Sequence, residues 1–105
     1  MAAENIVAMV RALGDADNLT IFEMVSNGEI CGCKVGERFG LDKIGVDRKM
    51  SSLVASGLVQ TVKGDEWDHY KVEETQMCLL NKYFNDRIND CRATGCKCKC
   101  KDGCC

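Results

Sequence analysis

The sequence has no apolar run approaching the ~20 residues a membrane-spanning helix needs, and Met1 to Val10 lacks the basic start and apolar stretch of an export signal. Neither membrane nor secretion is expected, so the protein should be cytoplasmic. There is no excess of positive charge either. The formal net charge is −2, so attraction to nucleic acid must come from local charge and motif geometry. Histidine occurs once, at His69, with no nucleophile–base pair or acidic dyad recognisable around it, which argues against an enzyme. What remains is 105 residues, 46% of them hydrophobic, enough for one small domain with one core.

Cysteine is what the chain has in quantity. Nine thiols, an odd number in a cytoplasmic chain, point to metal or redox chemistry rather than a disulfide framework. Cys31 and Cys33 flank Gly32 directly ahead of what reads as a helix-turn-helix, and six more cysteines lie between Cys91 and Cys105 among lysines and glycines. In that tail Cys96, Cys98 and Cys100 recur at a period of two, so an extended backbone points three sulfurs the same way, with Cys104-Cys105 as a vicinal pair. Thiolates favour soft ions: trivalent arsenic and antimony, cadmium, lead, mercury, cuprous copper and, less selectively, zinc.

The apolar spacing predicts an opening helix from Glu4 to Leu13 with Ile6, Met9, Val10 and Leu13 inward, and a short second helix carrying Leu19, Phe22, Met24 and Val25 up to Asn27-Gly28. A third helix begins around Cys31-Gly32-Cys33 and stops at Gly40. Asp42 caps a fourth that runs to Ser56, with Val46, Met50, Leu53 and Val54 inward and Ile44, Arg48, Ser51 and Ser52 on the opposite face. Leu58 to Val62 and Trp67 to Val72 form a β-hairpin, the shape of a wing. A last helix from Glu74 to Asp90 carries the stripe Met77, Leu80, Phe84, Ile88 and Cys91, with Leu79 and Tyr83 facing elsewhere, which suggests one face for the domain and one for a partner. The division expected is a domain over residues 1–90 and a cysteine-rich tail over 91–105.

Ala12-Leu13-Gly14-Asp15, Gly28-Glu29-Ile30-Cys31-Gly32-Cys33, Ala55-Ser56-Gly57-Leu58-Val59 and the Trp67 to Val72 strand together resemble the ArsR/SmtB family over about residues 5 to 90. The resemblance is nearest to the family's arsenic-sensing members. It implies a mainly α fold with a small β-hairpin, a winged helix-turn-helix, homodimeric through the first and last helices, that represses until an ion binds. Two triplets depart from the family pattern. Ala16-Asp17-Asn18 stands where Pro-Thr-Arg is usual, and Asp47-Arg48-Lys49 where Ser-Arg-His is usual.

On that scaffold Arg48 suits guanine, Ser51 and Ser52 are sequence-tolerant contacts, and Ile44 can touch a thymine methyl, while Lys43, Lys49 and Lys63 suit phosphates of an operator duplex. Asp47 and the acidic wing tip, Asp65, Glu66 and Asp68, oppose that contact. The expected inducer is As(III) or Sb(III) on Cys31 and Cys33, with Cys96, Cys98, Cys100, Cys104 and Cys105 as further metal(loid) ligands and no permanent cofactor. The arsenic-sensing members often have a third thiol one turn later, where this chain has Val35, Gly36 and Glu37, so either a third ligand comes from elsewhere, the tail or Cys78, or the site uses two. Cys78 and Cys91 read more simply as small buried hydrophobes, and His69, with no obvious carboxylate opposite, as structural. The alternatives are a thiol-redox repressor, a Cd/Pb/Zn/Hg sensor on the same scaffold, or a metal-sequestering protein.

Overall fold

A computed structural model describes residues 2–94. The elements are α1 (Ala2–Leu13), α2 (Ala16–Ser26), β1 (Ile30–Cys31), α3 (Gly32–Phe39), α4 (Lys43–Ser56), β2 (Val59–Val62), β3 (His69–Val72) and α5 (Glu74–Thr94). Every predicted helix is present. Helix α2 starts earlier than its apolar residues suggest, because the Asp15 carboxylate accepts from the backbone N–H of Asp17 at 2.8 Å and of Asn18 at 3.1 Å and so supplies the N-cap. Asp42 does the same for α4, accepting from Gly45 N–H at 2.8 Å. Gly57 ends α4 in the left-handed region, φ 88°, where a side chain would be strained.

The sheet holds three strands, in the order β1-β3-β2, not the two of a bare hairpin. Both pairings are antiparallel: Val59 to Val72 and Val62 to His69 bound the hairpin, while Ile30 faces Tyr70 and Cys31 faces His69. Ile30–Cys31 gives no strand signal in the sequence, because two residues are too short to show alternation. Pairing with a strand some forty positions later is what makes Ile30–Cys31 a strand.

The core is drawn from every layer: Ile6, Met9 and Ala12 of α1, Ile21 and Val25 of α2, Val35 of α3, Val46, Met50 and Leu53 of α4, and Leu58, Val59 and Tyr70 of the sheet. Val10 was expected inward but is exposed, as is Val7, since Ala12 takes the buried position one turn on. Leu19 is likewise exposed. On α5 only Met77 and Leu80 reach the core; Phe84 and Ile88 are exposed, and so are Cys78 and Cys91, which the sequence reading had buried. The helix outruns the body that would cover them. No helix among the described residues is long and apolar enough to cross a membrane. Cys96, Cys98, Cys100, Cys104 and Cys105 lie outside the described residues.

Two substitutions on α4 should separate packing from capping. Leu53→Ala, at a side chain with no exposure, is expected to cost about 2–5 kcal/mol in urea unfolding, and Asp42→Ala about 1 kcal/mol. Equal losses would show that the cap, not the core contact, sets the helix.

Candidate functional site

Two sites share the region where α3, α4 and the sheet meet. The first is the outward face of α4. Ile44, Arg48, Ser51 and Ser52 are all exposed there, with Lys43 at the helix start. Arg48 and Lys43 make no ion pair with any described residue, whereas Lys49 is committed. Its ammonium sits 2.7 Å from Asp17 of α2 and 5.6 Å from the Phe39 ring centre, and the Asp17 hydrogen bond raises its pKa. Ser52 accepts from the Asn18 amide at 2.9 Å, an amide that also donates to the Ala12 carbonyl. Ser51 donates to the Arg48 carbonyl at 2.7 Å, which leaves its oxygen open as an acceptor. On the wing, Lys63 is 89% exposed and only loosely paired with Asp68 at 3.6 Å.

Asp47, out of place on a reading face, turns toward the sheet. It accepts a long hydrogen bond, 3.5 Å, from the Tyr70 hydroxyl of β3. Tyr70 is buried, and its phenol is pushed up to about 12, first by burial and then by the charges of Asp47 and Asp68. The phenol thus joins the middle strand of the sheet to the reading helix.

The second site is the thiol pair. Cys31 ends β1 and caps α3, its sulfur accepting from the Cys33 N–H at 3.3 Å. Gly32, between them, donates to the Asp68 carbonyl at 2.8 Å. A Cβ on Gly32 would lie 3.0 Å from that same oxygen and 3.2 Å from the Tyr70 ring, so a side chain there would fit only if those neighbours gave by a few tenths of an ångström. Both thiols are part-buried and line an open basin of about 630 Å³ with Asp65, Glu66, Trp67 and His69. The Cys33 thiol is raised above its usual range, chiefly by its hydrogen bond to Cys31 and then by desolvation.

His69 corrects an expectation. It does face a carboxylate, with its Nδ1 3.4 Å from Glu29, and β1–β3 pairing sets it opposite Cys31. Sequence reasoning also missed Asp17, Asn18 and Tyr70 as partners of the reading helix. The signal available was that the two departures from the family pattern occur together.

Helices α3 and α4 followed by a small sheet, with an exposed polar and basic face on α4, define a winged helix-turn-helix of the DNA-binding type. No protein-family model matches the chain. The arsenical resistance operon repressor of Staphylococcus xylosus is 29% identical over 99 residues, covering 94% of this chain and 93% of the relative. That of Staphylococcus aureus is 26% identical over 102 residues, covering 97% and 94%. Among solved structures, an ArsR family transcriptional regulator matches with a TM-score of 0.75 at 14% identity over 86% of this chain and 93% of that one. A homodimeric winged helix-turn-helix domain from Mycobacterium bovis, a possible ArsR-family regulator, gives 0.63 at 17% over 85% and 82%. At such identities the structures speak for the fold, and the two repressors carry the relationship. Over nearly its whole length the chain is similar to these two arsenical resistance operon repressors, and its fold is that of the solved ArsR-family regulators.

The Tyr70 phenol gives a pH signature. An unfolded tyrosine ionises near ~10, so the unfolded chain releases this proton before the folded one does. The phenol's contribution is complete below that pH and is lost as pH rises toward about 12. The stability difference between the parent and Tyr70→Phe, measured in urea, should hold steady up to pH ~10 and then fall; a constant difference through that window would contradict the assignment.

Proposed function

We propose that this chain is a homodimeric repressor whose release from operator DNA is triggered by a thiophilic metalloid, As(III) or Sb(III), bound through Cys31 and Cys33. The observation that carries the reading is the position of the two thiols, one capping α3 and the other in its first turn, with the intervening glycine hydrogen-bonded to the wing. The full-length likeness to two arsenical resistance operon repressors supports the same inducer. Binding replaces the Cys31 sulfur's contact with the Cys33 N–H and pulls on the start of α3, which packs on α4. The strain reaches the reading helix by two routes, the α3–α4 packing and the Tyr70–Asp47 contact.

The reading face consists of Lys43, Ile44, Arg48, Ser51 and Ser52 with Lys63 on the wing. Lys49 contributes least, since it must leave Asp17 to reach a phosphate. The dimer forms through α1 and α5, whose exposed Val7, Val10, Leu79, Tyr83, Phe84 and Ile88 need a partner. Its two reading helices then address half-sites about one helical turn apart. Residues 91–105 act as a second thiol segment that supplies the third ligand for the metalloid, and the protein works in the cytoplasm. A raised Cys33 thiol supports metalloid exchange over a switch driven by an activated, readily oxidised thiolate.

Operator binding by the reduced protein on its own upstream DNA tests this. Arg48→Ala should weaken binding by about 1–3 kcal/mol and relax sequence preference. Arsenite should lower the affinity by at least the 5- to 150-fold typical of allosteric coupling, and Cys31→Ser should abolish that response while leaving DNA binding intact. Release only by an oxidant, or no binding at all, would overturn the proposal.

A further inference from the structure

Three donor side chains from three different elements face one basin: Cys31 from β1, Cys33 from α3 and His69 from β3. Cys31 and His69 are register partners. Directly opposed residues of an antiparallel pair project to the same face with Cβ atoms ~4.5–5.5 Å apart. Metal–sulfur bonds near ~2.3 Å and metal–imidazole bonds near ~2.0–2.1 Å therefore lie within the reach of ordinary rotamers. Among the described residues no three such donors already converge on one point. The imidazole is 43% exposed and neither thiol is fully buried, so all three side chains have room to turn toward the basin they line.

Glu29 decides which nitrogen is available. Its carboxylate lies 3.4 Å from His69 Nδ1. A neutral imidazole that donates Nδ1–H to it presents the Nε2 lone pair away from Glu29. A carboxylate holding the far nitrogen is the usual arrangement behind a metal-bound histidine, since it fixes both tautomer and ring orientation.

We propose that His69, oriented by Glu29, is the third protein donor to an ion held by Cys31 and Cys33, and that this set of two sulfurs and one nitrogen takes a divalent cation of borderline softness such as zinc, cadmium or cobalt. The inference rests on Cys31 and Cys33 as the inducer thiols and extends that reading to a second class of ion. Trivalent metalloids are served by thiolates alone, whereas replacing a thiolate by imidazole shifts preference toward borderline divalent ions. On binding, two S–H bonds are exchanged for two metal–sulfur bonds, the two protons pass to solvent, and Nε2 donates its lone pair with no change of oxidation state. Water or a rim carboxylate, Asp65 or Glu66, completes a tetrahedron. Because Cys33 belongs to α3 and His69 to the wing strand, the ion ties the wing to the helix that backs the reading helix.

The test uses the full-length chain with Cys96, Cys98, Cys100, Cys104 and Cys105 replaced by serine, titrated anaerobically with Co²⁺. The expected result is a tetrahedral cobalt–thiolate spectrum. Affinity should fall about tenfold in Glu29→Gln, the lower end of the ~10–100-fold range for loss of a ligand's orienting partner, and further in His69→Gln, which removes the ligand itself. Because His69 is the only histidine, its imidazole nitrogen-15 signals in the cadmium-loaded protein report coordination at Nε2 without ambiguity. Unchanged cobalt affinity in His69→Gln, or unshifted imidazole signals, would overturn the inference. Arsenite release measured with the tail intact keeps the two readings apart. An arsenite response that survives Cys31→Ser brings down the thiol-inducer reading, whereas an intact response with no role for His69 removes only this extension. Metal-free His69→Gln should bind operator like its parent; should it misfold, Glu29→Gln and the imidazole signals carry the test.

Discussion

The pairing of Ile30–Cys31 with His69–Tyr70 is the contact on which the arrangement of both sites depends. Its two residues attach the start of α3 to the middle strand of the sheet, and the Gly32 N–H continues the attachment at the Asp68 carbonyl, 2.8 Å away. Without that contact the thiols would sit on a free helix end. With it, Cys31 and Gly32 are tied to β3 and the residue before it, and β3 carries Tyr70. Glycine between the cysteines suits the same constraint, because a Cβ there would crowd the Asp68 oxygen and the Tyr70 ring.

A second set of contacts fixes what the reading helix offers. Asp17 holds Lys49, Asn18 holds Ser52 and Tyr70 holds Asp47. Each contact has at least one partner in the two triplets that depart from the ArsR/SmtB pattern, and Asp17–Lys49 joins one triplet to the other. An acid at 17 and a base at 49 neutralise one another across the α2–α4 contact, and an acid at 47 is turned from the reading face by a buried phenol. Arg48, which like Lys43 makes no ion pair with any described residue, lies on the exposed face of the helix.

Much of this was legible in the chain. Periodicity, Asp42 and the glycines at 40 and 57 placed α3 and α4 closely, because helix periods and caps are local and need no distant partner. The hairpin was legible for the same reason. Three things escaped: the strand Ile30–Cys31, the outward turn of Val10, and the exposure of Cys78 and Cys91. A two-residue strand has no period of its own. The facing of Val10 depends on which neighbour covers it, and an apolar stripe on α5 does not say where the body beneath it ends.

The sequence by itself determined the resemblance to a family, the order of the helices, the place of the Cys-Gly-Cys ahead of α3 and α4 and the face that α4 exposes, all properties encoded within a few turns of chain. Only the tertiary structure decided that His69 lies opposite Cys31 with Glu29 at its other nitrogen, that Lys49 is bound by Asp17, and that Asp47 answers to Tyr70. Those are meetings of side chains roughly twenty to forty positions apart. Their partners are set by strand register and helix packing, which short-range patterns in a single chain do not specify.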